Sequence, residues 1–157
     1  MRFWRIGAGE PAVYPPDDLT GEGARRAGAR WNPKGTPAVY ASYHLATAAL
    51  ETLVHTGRHP QPANRYVVAV DVDVEMLDAQ IVELALEDLP DSWDFNPPHP
   101  VSQVFGAGQF KLGHIGFAVP SIILHEELNL VLNPLHGIFK RAVRAQVTRR
   151  FAFDPRL

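Results

Sequence analysis

Three groups of residues have the types and spacing to do chemistry. Thr47, Glu51 and His55 recur at four-residue intervals, which lines up a hydroxyl, a carboxylate and an imidazole along one side of a helix. From Gly21 to Pro33 the chain reads Gly-Glu-Gly-Ala-Arg-Arg-Ala-Gly-Ala-Arg-Trp-Asn-Pro. Glycines there let the backbone approach a ligand closely, and an arginine fork suits a phosphate. Ser121 follows Pro120 and precedes Ile122-Ile123-Leu124. Each group also has an ordinary reading. A glutamate on the polar face of an amphipathic helix is commonly solvated, an arginine-bearing loop is commonly plain surface, and a serine after proline commonly caps or packs. Trp31, beside Arg30, reads as an anchor for its arm rather than a platform for a base.

Several chemistries find no support. With no cysteine, a disulfide framework, thiolate catalysis and thiolate metal sites are all excluded. Ser121 lacks the G-x-S-x-G elbow of a hydrolase nucleophile, and the glycine-rich arm is neither G-x-G-x-x-G nor a phosphate loop. His55 and His59 are four apart, but Gly57 and Pro60 interrupt any helix that would align them. His125-Glu126-Glu127 lacks the second histidine of a zincin, so no metal site is expected. The net charge of -2 provides no overall positive field for nucleic acid. Basic residues gather locally, at Arg25, Arg26 and Arg30 and again at Lys140, Arg141, Arg144, Arg149 and Arg150.

The elements that must position these groups are short. A chain of 157 residues with 46% hydrophobic and 20% charged residues forms one ordinary globular domain, 1–157. Its 14 prolines and 12 glycines assign much of it to loops. Phe3–Ile6 reads as a short edge-like strand, 7–37 as an irregular arm, and Ala38–Ala41 as a second short strand. Ser42 then caps a helix from about Tyr43 to Thr56, which Gly57 ends. On that helix Leu45, Ala46, Ala49, Leu50 and Leu53 share one broad face, with Thr47, Glu51 and His55 opposite; periodicity alone does not say whether the polar side meets solvent or a cleft. Valine-rich alternation makes Arg65–Val74 a strand. A strand with a short helix is expected within Glu75–Leu89, a proline-loaded loop over Asp91–Pro100, and a short helix over Val101–Gln109. Ile115–Val119 and Ser121–Glu127 read as strands broken at Pro120. Asn133-Pro134 marks a turn, Leu135–Ala145 a loop with a short helix, and Gln146–Asp154 a closing strand. Irregularly placed short strands with few helices argue an α+β fold. The first six residues lack the apolar run of a signal peptide and no stretch is long enough to span a bilayer, so a cytoplasmic location is expected.

In order along the chain, these pieces resemble the RES domain, a family named for an arginine, a glutamate and a serine. The matching segments are Phe3-Trp4-Arg5-Ile6, Gly28-Ala29-Arg30-Trp31-Asn32, Ala38-Val39-Tyr40-Ala41-Ser42 and Ala49-Leu50-Glu51-Thr52-Leu53-Val54-His55. They continue with Val119-Pro120-Ser121, Asn129-Leu130-Val131-Leu132-Asn133-Pro134 and Phe153-Asp154-Pro155-Arg156-Leu157. The resemblance implies a compact α+β fold like that of ADP-ribosyltransferases, with small mixed sheets around an NAD cleft. It further implies the toxin of a toxin–antitoxin pair that degrades NAD+ by hydrolysis or phosphorolysis. The alternatives are a toxin that ADP-ribosylates a protein and a RES-fold binding module without turnover. An Xre-type antitoxin and a second toxin copy are the implied partners, inorganic phosphate a possible co-substrate, and NAD+ is substrate rather than resident cofactor.

Carried over by motif, the family arginine falls on Arg30, its tyrosine on Tyr40, its glutamate on Glu51 and its serine on Ser121; Asn133 matches a further recurrent position. In this reading Glu51 stabilises positive charge on the ribose as nicotinamide leaves, and Arg30 grips the pyrophosphate. Tyr40 stacks on or hydrogen-bonds the nicotinamide riboside, and Ser121 donates to nicotinamide or to a phosphate oxygen. One stretch departs from the pattern. Family members often carry a Gly-Asp-x-Trp-like segment where Gln103 to Phe110 here includes Gly108-Gln109 and no aspartate; Phe110 stands where the tryptophan would be.

Overall fold

The computed structural model describes residues 1–56, 64–76 and 81–156. Their centre is a seven-stranded mixed sheet in the order β4-β5-β6-β2-β1-β3-β7. The strands are β1 (Arg2–Ala8), β2 (Val39–Ser42), β3 (Arg65–Val72), β4 (Ile81–Glu83), β5 (Gly116–Pro120), β6 (Leu128–Leu132) and β7 (Val143–Phe151). All neighbours are antiparallel except β4 and β5. The helices are α1 (Glu22–Ala27), α2 (Leu45–Thr56), α3 (Pro100–Lys111) and α4 (Phe139–Ala142), with one 3-10 turn at Leu86–Asp88. The α+β expectation holds. Gly57, His59 and Leu157, and the part of the 75–89 expectation at 77–80, lie outside the described residues.

The differences from expectation have local causes. β1 is no edge strand: it pairs with β3 through seven residue pairs and meets β2 on its other side through Trp4 and Ser42. Residues far along the chain chose that place, and a four-residue pattern does not reveal them. The 7–37 arm is not wholly irregular. Glu22–Ala27 makes a helix that Gly28 ends at φ 71, its N–H bonded to Ala24 O at 2.8 Å; a side chain would strain that backbone. Ser42 ends β2 instead of capping α2, and its hydroxyl turns to Asn129. Residues 121–127 form a loop, with the next strand beginning at Leu128; Ser121 Oγ accepts from the N–H groups of Ile123 and Leu124, a local bond that competes with strand pairing.

The sheet carries a core on each face. One is aliphatic, with Val68, Val70, Val72, Ile115, Leu130 and Leu132 packed with Phe3 and Phe139. The other is aromatic and gathers Trp31, Trp93, Phe117, Phe105 and Phe110 from the arm, the 91–100 loop, α3 and β5. Trp31 stacks on Trp93 at 6.0 Å between ring centroids and meets Phe117 edge-on at 6.2 Å. Gly106 of α3 is pressed on the arm: a Cβ there would lie 2.1 Å from Trp31 O. The departure at Gly108-Gln109 is therefore absorbed inside a helix, and Phe110 packs on Phe117 at 5.6 Å. Phe105 joins this core, while Phe95 and Val101 remain exposed.

Candidate active site

A cavity of about 500 Å³ opens between α2, the β1–β2 side of the sheet and the arm. Its walls include Trp4, Arg30, Tyr40, Ser42, Glu51 and Asn129. Glu51 is brought there by the orientation of α2. Thr47 and Ala48 are its buried residues, and the helix packs on β1 and β2. Leu45, Ala49, Leu50 and Leu53 are only half-buried, and Val54 is 58% exposed. The polar side of the helix meets the cleft because small residues let it lie close to the strands. An amphipathic pattern usually turns the other way.

Glu51 is held by two donors on one oxygen. Ser121 Oγ donates to Oε1 at 2.8 Å and Asn129 Nδ2 donates to the same atom at 2.6 Å. Among the described residues Oε2 has no hydrogen-bond partner. Ser121 is 1% exposed. The expected role was donation to nicotinamide or phosphate; here the one proton of the Ser121 hydroxyl is directed to Glu51, a geometry that supports the carboxylate. It reaches Glu51 because Pro120 closes β5 and the Ser121 N–H is fastened to Glu127 O at 2.8 Å.

Arg30 is half-buried at the opposite wall. Its Nη1 donates to Trp93 O at 2.6 Å and Phe95 O at 2.9 Å, tying the 91–100 loop to the arm. No described residue accepts from Nε or Nη2, an edge that presents two parallel donors. Burial lowers the guanidinium pKa, with Glu51 and then Asp94 opposing that shift. Arg5 also reaches the cavity. It donates to Pro16 O, and burial lowers its pKa against the pull of Asp18 and Asp17.

Tyr40 presents its ring to the cavity, but its hydroxyl is already engaged. It donates to Asn32 Oδ1 at 2.7 Å and accepts from the Trp31 N–H at 3.2 Å. Burial raises its pKa strongly, so it stays a neutral phenol, with Trp31 N–H and Arg30 only partly opposing. Of the two expected roles, stacking needs only the ring face, while the phenol proton is already given to Asn32. Asn32 is fully buried and knots the arm, donating to Ala24 O at 2.9 Å and Thr36 O at 2.8 Å.

Arg30, Tyr40 and Glu51 are thus brought to one cavity, Ser121 stands behind Glu51 without lining it, and Asn133 is at neither place. Asn133 Oδ1 accepts from the Leu135 N–H at 3.0 Å, and its own N–H bonds Ile115 O at 2.7 Å, so it shapes the turn after β6. The asparagine at the site is Asn129, which reading from the sequence missed. A signal was present: Asn129 is the one polar residue in Leu128-Asn129-Leu130-Val131-Leu132, and a polar group inside an apolar strand needs a partner.

The RES domain model matches residues 2–154. A protein of Sphingobium sp. (strain YBL2) named Prs ADP-ribosylating toxin is 40% identical over 157 residues, covering 99% of this chain and 95% of that relative. A Toxin Res of Yersinia enterocolitica is 34% identical over 145 residues, covering 92% of this chain and 93% of that relative. Among solved structures, the M. tuberculosis MbcT-MbcA toxin-antitoxin complex contains a chain matched with a TM-score of 0.68 at 19% identity. That match covers 99% of this chain and 85% of the other, and shows the shared fold. With a family model spanning nearly its whole length and relatives at 34–40% identity, the chain belongs to the RES domain family.

Proposed function

We propose that this chain is the toxin of a toxin–antitoxin pair and that it cleaves the bond between nicotinamide and ribose in NAD+. The observation that carries this reading is the Glu51 carboxylate, fixed on Oε1 by Ser121 and Asn129 and open on Oε2, in one cavity with the Nε–Nη2 edge of Arg30. Cleavage sends the electron pair of the C–N bond out with nicotinamide and leaves positive charge on the sugar. A fixed carboxylate stabilises that charge without having to reorganise. Arg30 takes the pyrophosphate through Nε and Nη2, while the Tyr40 ring packs against the nicotinamide riboside. The acceptor, water or inorganic phosphate, bonds to the sugar carbon and gives up a proton.

The test follows nicotinamide release from NAD+ by chromatography, with and without phosphate, for the wild type and Glu51→Ala. Losing one preorganised electrostatic group costs on the order of 100- to 1,000-fold in rate, with the fold retained. A folded Glu51→Ala protein that turns over normally rejects the assignment. Well-folded wild type that releases nothing favours the binding module or an obligate protein acceptor.

Transfer of ADP-ribose to a protein is a second reading, favoured by the name of the Sphingobium relative. It predicts label from NAD+ on a target protein, and nicotinamide release only when that protein is present. For the partner, we propose an Xre-type antitoxin whose acidic segment approaches the arm at Arg25, Arg26 and Arg30. Arg25 is paired with Glu22 at 2.7 Å and Arg26 lies over the Tyr14 ring, so Arg26 and Arg30 are the cations an acidic segment would meet. Complementary charge mainly speeds association. Arg25→Ala with Arg26→Ala should slow antitoxin binding and flatten its salt dependence; unchanged on-rates at low salt reject this surface.

A further inference from the structure

Behind Glu51 runs one row of the sheet. Antiparallel pairing sets Trp4 opposite Ser42, Ser42 opposite Asn129, and Asn129 opposite Val119. Ser42 and Asn129 are the two polar members of that row, and Ser42 is only 4% exposed. Ser42 Oγ donates to Asn129 Oδ1 at 2.6 Å, and Asn129 Nδ2 donates to Glu51 Oε1 at 2.6 Å.

A carboxamide has nearly the same shape in two orientations related by a half-turn, one end donating and the other accepting. Turned one way, Asn129 offers hydrogens to the carboxylate. Turned the other way, its carbonyl oxygen faces Glu51 and two acceptors meet with no hydrogen between them. What selects the productive orientation is the proton of Ser42, which needs Oδ1 as its acceptor. Ser121 cannot substitute for Ser42 here, because its own proton already goes to Glu51 and two backbone N–H groups point at its oxygen.

We propose that Ser42 and Asn129 are positioning residues for Glu51. Ser42 locks the amide of Asn129, and Asn129 with Ser121 closes one carboxylate oxygen so that the other faces the substrate. This rests on the reading of Glu51 as the group that acts on NAD+. Ser42 thereby influences a reaction it does not touch, through a chain of two hydrogen bonds.

The pair is tested by kinetics and by the side-chain amide signals of Asn129 in nuclear magnetic resonance. Asn129→Leu should lower kcat on the order of 100-fold, and Ser42→Ala about tenfold, with KM for NAD+ changed less than about twofold since the two side chains bond each other and Glu51. Ser42→Thr, which keeps the hydroxyl, should restore most of the rate that Ser42→Ala loses. In the wild type, one amide proton of Asn129 should lie well downfield of its partner because it bonds a carboxylate. That separation should collapse in Glu51→Ala, narrow in Ser42→Ala and persist in Ser42→Thr. If Asn129→Leu does not fold, the two Ser42 variants decide. An unchanged amide spectrum in Ser42→Ala overturns the lock, as does a loss of rate that Ser42→Thr shares. The spectrum needs no turnover, so a wild type inactive on NAD+ with water or phosphate would overturn the cleavage reading and leave the lock to be judged by its signals.

Discussion

The two faces of the sheet are built from different material and do different work. The aliphatic core fills one side with valine, leucine and isoleucine carried mostly on the strands themselves. On the other side lies an aromatic core whose members, Trp31, Trp93, Phe105, Phe110 and Phe117, come largely from segments outside the sheet. Those segments are what it fastens. Trp31 and Trp93 are stacked, and the adjoining Arg30 bonds Trp93 O and Phe95 O. Rings suit such fastening, since a few large faces can bind several loops at once. One core holds the platform and the other holds the wall of the cavity.

Matched truncations should break or sharpen that division most. Phe117 and Phe139 are both buried, one in each core. Either change to alanine should cost about 3–5 kcal/mol of stability, read from denaturant unfolding. Only Phe117→Ala should also raise KM for NAD+, because Phe117 supports Trp31 next to Arg30. A Phe139→Ala protein with an equally raised KM would erase the distinction.

Gly106→Ala is the next largest. Its new methyl would strike Trp31 O, a backbone atom; overpacking of this kind costs about 1–3 kcal/mol. It should move the arm and weaken NAD+ binding, measurable by calorimetry. Unaltered binding would mean that the arm is held independently of α3.

The smallest effect belongs to the platform side of the site. Glu127 accepts from Thr47 at 2.6 Å and pairs with His44 at 2.7 Å near the start of α2. These partners, Thr47 first, lower its pKa. A carboxyl whose folded pKa is depressed contributes stability above its unfolded value and loses it as pH falls through the folded one. Glu127→Gln should therefore lower stability near neutrality, and the gap from wild type should close in acid below the ordinary carboxylate range. A gap independent of pH would show that the charge plays no part.

How much of this could be read from the chain follows the same division. β3 was legible because a short valine-rich run suits a strand wherever it pairs, though its burial on both faces, Val67 to Val70 without a break, was set by its place inside the sheet. The extent of α2 was legible too, but not its rotation, since only the sheet beneath decides which side a helix turns inward. Arg30, Tyr40, Glu51 and Ser121 could be named together only through the order of family segments; nothing in their spacing brings residues 30 and 51 into one cavity with residue 121 behind them. Asn129 and Asn133 lie four apart in the same segment, and strand register separates the one at the site from the one in the turn. Trp31 and Trp93 meet across a gap that no local pattern spans.

The bonds on Glu51 cross 70 residues to Ser121 and 78 to Asn129. On a ribosome, the carboxylate therefore emerges long before either of its donors. The α2 helix can form early from local contacts, but the β2–β6 pairing that delivers Asn129 must wait for late synthesis. A partly translated chain has the charged group without the geometry. The geometry on Oε1 can close only once residue 129 has emerged and β6 has paired with β2.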